Sequence, residues 1–173
     1  NNNCIITANI SFNTFNKDSD WNVASNWSLG KVPNDCDVAI THAAIIPSGC
    51  TAIVDSIAMP SKGSIIIRNG GQLMANNTIT AQVQKTIEAS TYQGENKWYL
   101  IASPVNGQKF EDVTGLIDGT YHNIYRYDEP TNTWQEYRNP NNEFSSFENG
   151  RGYLFRTTNS GSITFNGTLN NAS

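Results

Sequence analysis

Apolar residues in this chain come in short β-branched runs, and Gly or Pro breaks most of them. The runs are Asp37 to Thr41, Ala44 to Pro47, Thr51 to Val54, Ser64 to Arg68, Gln72 to Ala75 and Thr78 to Ile87. Between them stand Pro47-Ser48-Gly49, Pro60, Gly63 and Gly70-Gly71. No stretch keeps a helical apolar period over three turns, which argues against long amphipathic helices. Charged residues are only 15%, against the usual quarter. Asn fills the gap with 24 copies; it carries polarity without charge and tolerates tight turns. Short strands joined by many turns would use it that way, so the expected fold class is all-β.

The two halves differ. Runs of four or five residues before residue 90 suit coils of about 20–30 residues, so Asp37 to Ile87 holds about two coils of a short β-solenoid. Two coils are too few to stand alone, because each needs a neighbour to bury its face. Cys4 to Ser11 is a further expected strand, and Asn13 to Asn34 is turn-rich. In the second half, Asn96 to Ala102 is strand-like and stops at Ser103-Pro104; Phe110 to Ile117 suits one helical turn. His122 to Asp128 and Thr133 to Arg138 alternate aromatic and polar residues around the turn-forming Asp128 to Asn132. Gly152 to Thr157 and Ser162 to Asn166 suggest another hairpin. The expected organisation is residues 1–90 as a Trp-containing loop plus a β-solenoid-like region. Residues 91–173 would form an antiparallel β-sandwich that caps its open end, with a soft boundary.

Formal charge is −4 and pI about 5.0, without the basic stripe of a nucleic-acid binder. No apolar run approaches the ~18 residues that would cross a bilayer, and Asn1-Asn2-Asn3 is not a signal peptide. That start suits a mature terminus or an internal cut. His42 and His122 are the only histidines, and no nucleophile elbow, phosphate loop or His-Glu-x-x-His motif accompanies them. A carboxylate pair for glycoside hydrolysis would carry no mark in sequence.

Candidate sites are therefore of other kinds. Asn16, Asp18, Asp20 and Asn22 alternate in a polar segment and offer the oxygen ligands that calcium takes, without the Gly and terminal Glu of an EF-hand loop; a solvated polar turn is the simpler explanation. Trp21, Trp27, Trp98 and Trp134, with Tyr92, Tyr121 and Tyr137, are available as sugar platforms or as core. Trp98 and Tyr153 fit a core, Trp21 and Trp27 fit packing over the first coil, and Trp134 and Tyr137 are the candidate carbohydrate contacts. Cys4, Cys36 and Cys50 are an odd set. Cys36 and Cys50 flank short strands around a short loop, and a bridge there would add roughly 3 kcal/mol; three buried thiols are the alternative.

Several stretches resemble a recurrent β-rich region of large surface proteins that Bacteroidetes export by type IX secretion. They are Asp20 to Ser28 (DWNVASNWS) with Gly30 and Val32-Pro33, then Asp37 to Ile40, Ile46 to Gly49, Asn69 to Leu73 (NGGQL) and Trp98 to Val105 (WYLIASPV). Tyr125 to Asp128, Trp134, Gly150 to Tyr153 and Phe165 to Asn170 continue the pattern. Tyr127-Asp128 with Trp134 also looks like one kelch blade, but a propeller needs several copies. The resemblance implies a fragment of an extracellular protein, glycans or surface proteins as partners, and neighbouring domains in the same chain. It also marks Asp55-Ser56-Ile57 as similar to a bacterial O-glycosylation acceptor, with Ser56 modified. Asn9-Ile10-Ser11 and Asn26-Trp27-Ser28 match the N-linked pattern. The expected function is a non-catalytic adhesion or scaffold module. Alternatives are a carbohydrate-binding accessory module of a secreted enzyme, and a hydrolase with unmarked carboxylates.

Overall fold

The computed structural model describes residues 12–60, 62–90, 97–117 and 122–170. The chain is all-β. Its described helical structure is limited to single 3-10 turns at Ala24–Asn26 and Phe110–Asp112. The strand expected over Cys4 to Ser11 lies outside the described residues.

The first half stacks strands in parallel. Strands β1 (Asn13–Phe15), β3 (Val38–Ile40) and β6 (Ile57–Ala58) form one sheet, and β5 (Thr51–Ile53) pairs with β8 (Gln72–Met74) in another. A third sheet runs β2 (Ser19–Asp20), β4 (Ala43–Ile46), β7 (Ser64–Ile67) and β9 (Thr80–Ile87), all parallel. β4 pairs with β7, and β5 with β8, at a 21-residue separation, as Thr51 over Gln72, whereas β1 with β3 and β2 with β4 pair at 25, β3 with β6 at 19 and β7 with β9 at 16. Like therefore stacks on like: Ala44 pairs with Ile65, Ile46 with Ile67, and Ala52 with Leu73. The turns stack too. Gly49 and Gly70 both have positive φ, and the Gly49 N–H donates to the Gly70 carbonyl at 2.9 Å. At Gly71 a Cβ would come 2.6 Å from the Ile46 carbonyl oxygen, so only glycine lets this turn lie against the one below. On the first sheet the Asn77 amide takes the place of a further strand. Its Oδ1 accepts from Ile57 N–H at 3.0 Å and its Nδ2 donates to the Ile57 carbonyl at 2.9 Å.

These strands enclose an aliphatic core of Val38, Ile40, Ala44, Ile46, Ala52, Val54, Ile57, Ile65, Ile67, Ile79 and Ala81. Phe15, Trp21 and Trp27 close one end of it. The two indoles meet edge to face at 4.7 Å, and Trp27 Nε1–H donates to the Trp21 carbonyl at 2.8 Å. Both are buried. The segment expected to be only turn-rich thus contains β1 and β2, paired in parallel with β3 and β4. Two- and three-residue strands carry too little periodicity to be read from sequence.

The second half corrects one expected connection. Strands β10 (Tyr99–Ile101), β11 (His122–Asp128), β12 (Thr133–Glu136) and β13 (Tyr153–Thr157) form an antiparallel sheet in the order β10-β13-β11-β12. Strand β14 (Gly161–Thr168), expected as the hairpin partner of β13, instead pairs with β9 along eight residues. The third sheet therefore crosses the boundary expected near residue 90. One face of it serves two cores: Ala81 faces the aliphatic core, Val83 touches both, and Ile87, Ile163 and Phe165 face the second core. That second core is aromatic. Phe110 sits among Tyr137, Phe144, Phe147 and Tyr153 at centroid distances of 4.8–5.9 Å, every pair close to edge-to-face.

Candidate functional site

Strand alternation sorts the four-stranded sheet into a packed face and an open one. Ile101, Ile124, Tyr153 and Phe155 point into the aromatic core. Their neighbours Leu100, Leu154 and Tyr125 stand in register on the other side, with Glu136 next to Tyr125. One rung away on that open face Arg156 pairs with Asn123, and the Arg156 guanidinium lies 5.3 Å from the Trp98 ring centroid. One rung the other way Tyr127 pairs with Trp134. Their rings are 5.1 Å apart and tilted by 59°, while Trp98 and Tyr125 are 5.8 Å apart at 63°. Trp98, Tyr125, Tyr127 and Trp134 thus form a diagonal across the sheet from β10 to β12. Trp98 is 42% exposed, Trp134 51% and Leu100 75%.

Polar groups line this diagonal. The Glu136 carboxylate accepts from Asn123 Nδ2 at 2.8 Å and from Arg138 Nη2 at 2.9 Å. The Arg138 hydrogen bond holds its carboxyl below the usual glutamate range, against a smaller opposing effect of burial. On the other flank, Gly152 packs closely against Leu100; a Cβ there would come within 3.1 Å of Leu100 Cδ1.

The structure separates the two residues expected to contact sugar together. Trp134 is on the open face. Tyr137, an odd number of residues later, turns inward, its ring 5.1 Å from Phe110. Trp98, expected in the core, is on the open face, whereas Tyr153 is fully buried and its phenol pKa is raised by burial. Tyr92 and Tyr121 lie outside the described residues. The residues that sequence reasoning missed are Leu100, Tyr125, Tyr127, Leu154 and Arg156. For Tyr125 and Tyr127 the signal was present in the alternation of His122 to Asp128, whose odd-numbered positions share one face.

The other expected sites fare differently. Cys36 and Cys50 are free thiols, so the expected bridge is not formed. The Cys36 carbonyl accepts from Asp55 N–H at 3.1 Å, which puts Cys36 beside the end of β5, whereas Cys50 directly precedes its start. A three-residue strand separates such positions by ~10 Å, beyond the ~4.4–6.8 Å Cα spacing of a disulfide. Burial also pushes the Cys50 thiol pKa up. Cys4 and Asn9 lie outside the described residues. Asn16, Asp18, Asp20 and Asn22 do not wind into a loop. Ser19 and Asp20 form β2, and Asp18 Oδ1 accepts from the Ala43 N–H at 2.8 Å, capping β4. Among the described residues no group of three His, Cys, Asp or Glu side chains is placed to hold a metal ion. Ser56 is half-buried and its hydroxyl donates to Asp37 Oδ1 at 2.5 Å. Asn26 is buried, with its amide donating to the Asp20 carbonyl, so the N-linked pattern around it is not presented to solvent. His42 Nδ1 lies 3.0 Å from the Thr41 hydroxyl, and His122 is buried at the start of β11.

No protein-family model, curated protein or solved structure gives a significant match to this chain. Among the described residues no helix is long and apolar enough to cross a membrane.

Proposed function

We propose that this chain is a non-catalytic, extracellular contact module of a larger secreted bacterial surface protein, acting in adhesion or as a scaffold beside neighbouring domains. The observation that carries the reading is the open face of the four-stranded sheet. Its opposite side is filled by an aromatic core, yet it leaves Trp98, Leu100 and Trp134 to solvent together. Large apolar side chains grouped in this way are the usual mark of a contact surface. The stacked first half would be the rigid spacer that presents it. The parallel stacking of the first half supports a short β-solenoid, the antiparallel sheet over the aromatic core is compatible with a β-sandwich, and the Asn-rich composition and the type IX resemblance support the extracellular setting. A carbohydrate-binding accessory module of a secreted enzyme is the second reading; it uses the same face and is favoured by the aromatic character of that face.

Retention of fluorescently labelled protein on biofilm matrix tests the contact reading. The parent chain is expected to be retained, and the variant carrying Trp98→Ser, Leu100→Ser and Trp134→Ser to lose at least about tenfold in affinity, or 1.4 kcal/mol. Equal retention of both would remove the open face from the account. Turnover of a polysaccharide by the isolated chain, abolished by one Asp or Glu substitution, would overturn the non-catalytic reading.

A further inference from the structure

From the geometry of the open face we infer that the diagonal Trp98–Tyr125–Tyr127–Trp134 is a binding site for a neutral, linear, β-linked polysaccharide. The inference rests on the contact-module reading and names the ligand class of the same face.

Three observations carry it. The first is shape. Two tilted ring pairs, Trp98 with Tyr125 and Tyr127 with Trp134, lie on the open side of strands whose other face is locked into the core. Two ring pairs set apart on one face match an extended chain better than a single sugar. The C–H faces of β-linked pyranoses can stack on an exposed ring of each pair, since aromatic faces are the electron-rich side of their quadrupole.

The second is polar chemistry within the apolar line. Arg156 lies over the Trp98 ring, and Glu136 stands in register with Tyr125, tied to Asn123 and Arg138. A protein partner covering this face would have to desolvate those charges, and the centres of protein interfaces are depleted of charged residues. A sugar chain leaves them partly wet. Its hydroxyls both donate and accept, so they can bond to the free lone pairs of a carboxylate and to guanidinium N–H groups alike.

The third is charge. The face mixes Arg156 and Arg138 with Glu136, and the chain carries a formal net charge of −4. No cationic stripe is present to steer a polyanionic glycan, which favours a neutral one.

Isothermal titration of the whole chain with cellohexaose, mannohexaose and xylohexaose tests this. Binding of at least one is expected, weakened about tenfold or more by Trp98→Ala and by Trp134→Ala. Tyr137→Phe, on the inward face, should leave affinity unchanged. A measurement on the parent protein avoids reliance on variants. Trp21 and Trp27 are buried, so acrylamide quenching reports Trp98 and Trp134, and the bound hexasaccharide should protect them. Absence of binding to all three sugars, or binding that neither protects tryptophan nor responds to either substitution, would overturn the inference. A concentration-dependent dimer in sedimentation equilibrium, abolished by Leu100→Glu, would assign the face to a second copy and overturn it too. If the chain is retained on biofilm matrix through the open face while all three sugars fail, the contact reading stands and the glycan assignment falls.

Discussion

The two cores of this protein solve the same packing problem with different side chains. Under the parallel strands, Ile, Val and Ala stack on their equivalents one coil away, so each position needs only a residue of suitable volume. Under the antiparallel sheet nothing repeats. Phe110 is held by four aromatic rings, all from residues 137–153, each meeting it edge-on. A stacked aliphatic core tolerates small volume changes because neighbouring aliphatic rungs share the adjustment; an aromatic cluster around one ring does not. The second arrangement also leaves aromatic residues free for the opposite face, because strand alternation sends Tyr125 and Tyr127 outward while Ile124 goes inward.

The largest expected effect follows from that contrast. Phe110→Ala should cost ~3–5 kcal/mol, read as a lower urea midpoint with loss of near-ultraviolet circular dichroism. Ile65→Val, in the middle of the aliphatic stack, should cost only ~0.5–1.5 kcal/mol. Equal losses at the two positions would break the comparison. Trp98→Ser and Leu100→Ser on the open face should each stay within ~0.5 kcal/mol of the parent; a larger loss in the same urea titration would mean that these side chains hold the fold. The smallest effect concerns Glu136. Its folded-state pKa is lowered, first by the Arg138 hydrogen bond, so its contribution is complete above the unfolded glutamate value near ~4.3. It is lost as pH falls through the folded value. The side chain is 27% exposed, so solvent weakens the term. The stability difference between the parent and Glu136→Gln should therefore shrink on acidification and stay flat near neutrality.

The cysteines give a check without an energy scale. Alkylation of the unreduced, unfolded protein should label both Cys36 and Cys50 in intact mass. A pair of unlabelled thiols restored by reductant would reinstate the bridge.

Much of the strand content is legible in the sequence, and the connections are less so. His122 to Asp128 coincides with β11, and the runs at Thr51, Ser64 and Gln72 each hold a strand of the parallel stack, because β-branched residues between glycines leave few alternatives. The partner of β14 is not legible. Local spacing favours a hairpin with β13, but Ile163 and Phe165 bury against the second core only when β14 extends the sheet of β9. Long-range pairing is decided by burial that no local window contains. The site is half legible for a related reason. Aromatic content signals a platform, but the face of each ring depends on strand parity, and that parity puts Trp98 outside and Tyr137 inside.

The account depends most on the sheet that joins the halves through β9 and β14. Native-state hydrogen exchange of the whole chain, read by mass spectrometry along a denaturant series, tests it directly. Peptides over Thr80–Ile87 and Gly161–Thr168 should exchange together, and only with the opening that also exposes Ala43–Ile46 and Tyr153–Thr157. Early exchange of Gly161–Thr168 while Ala43–Ile46 stays protected would mean that the halves open independently, and would contradict the shared sheet.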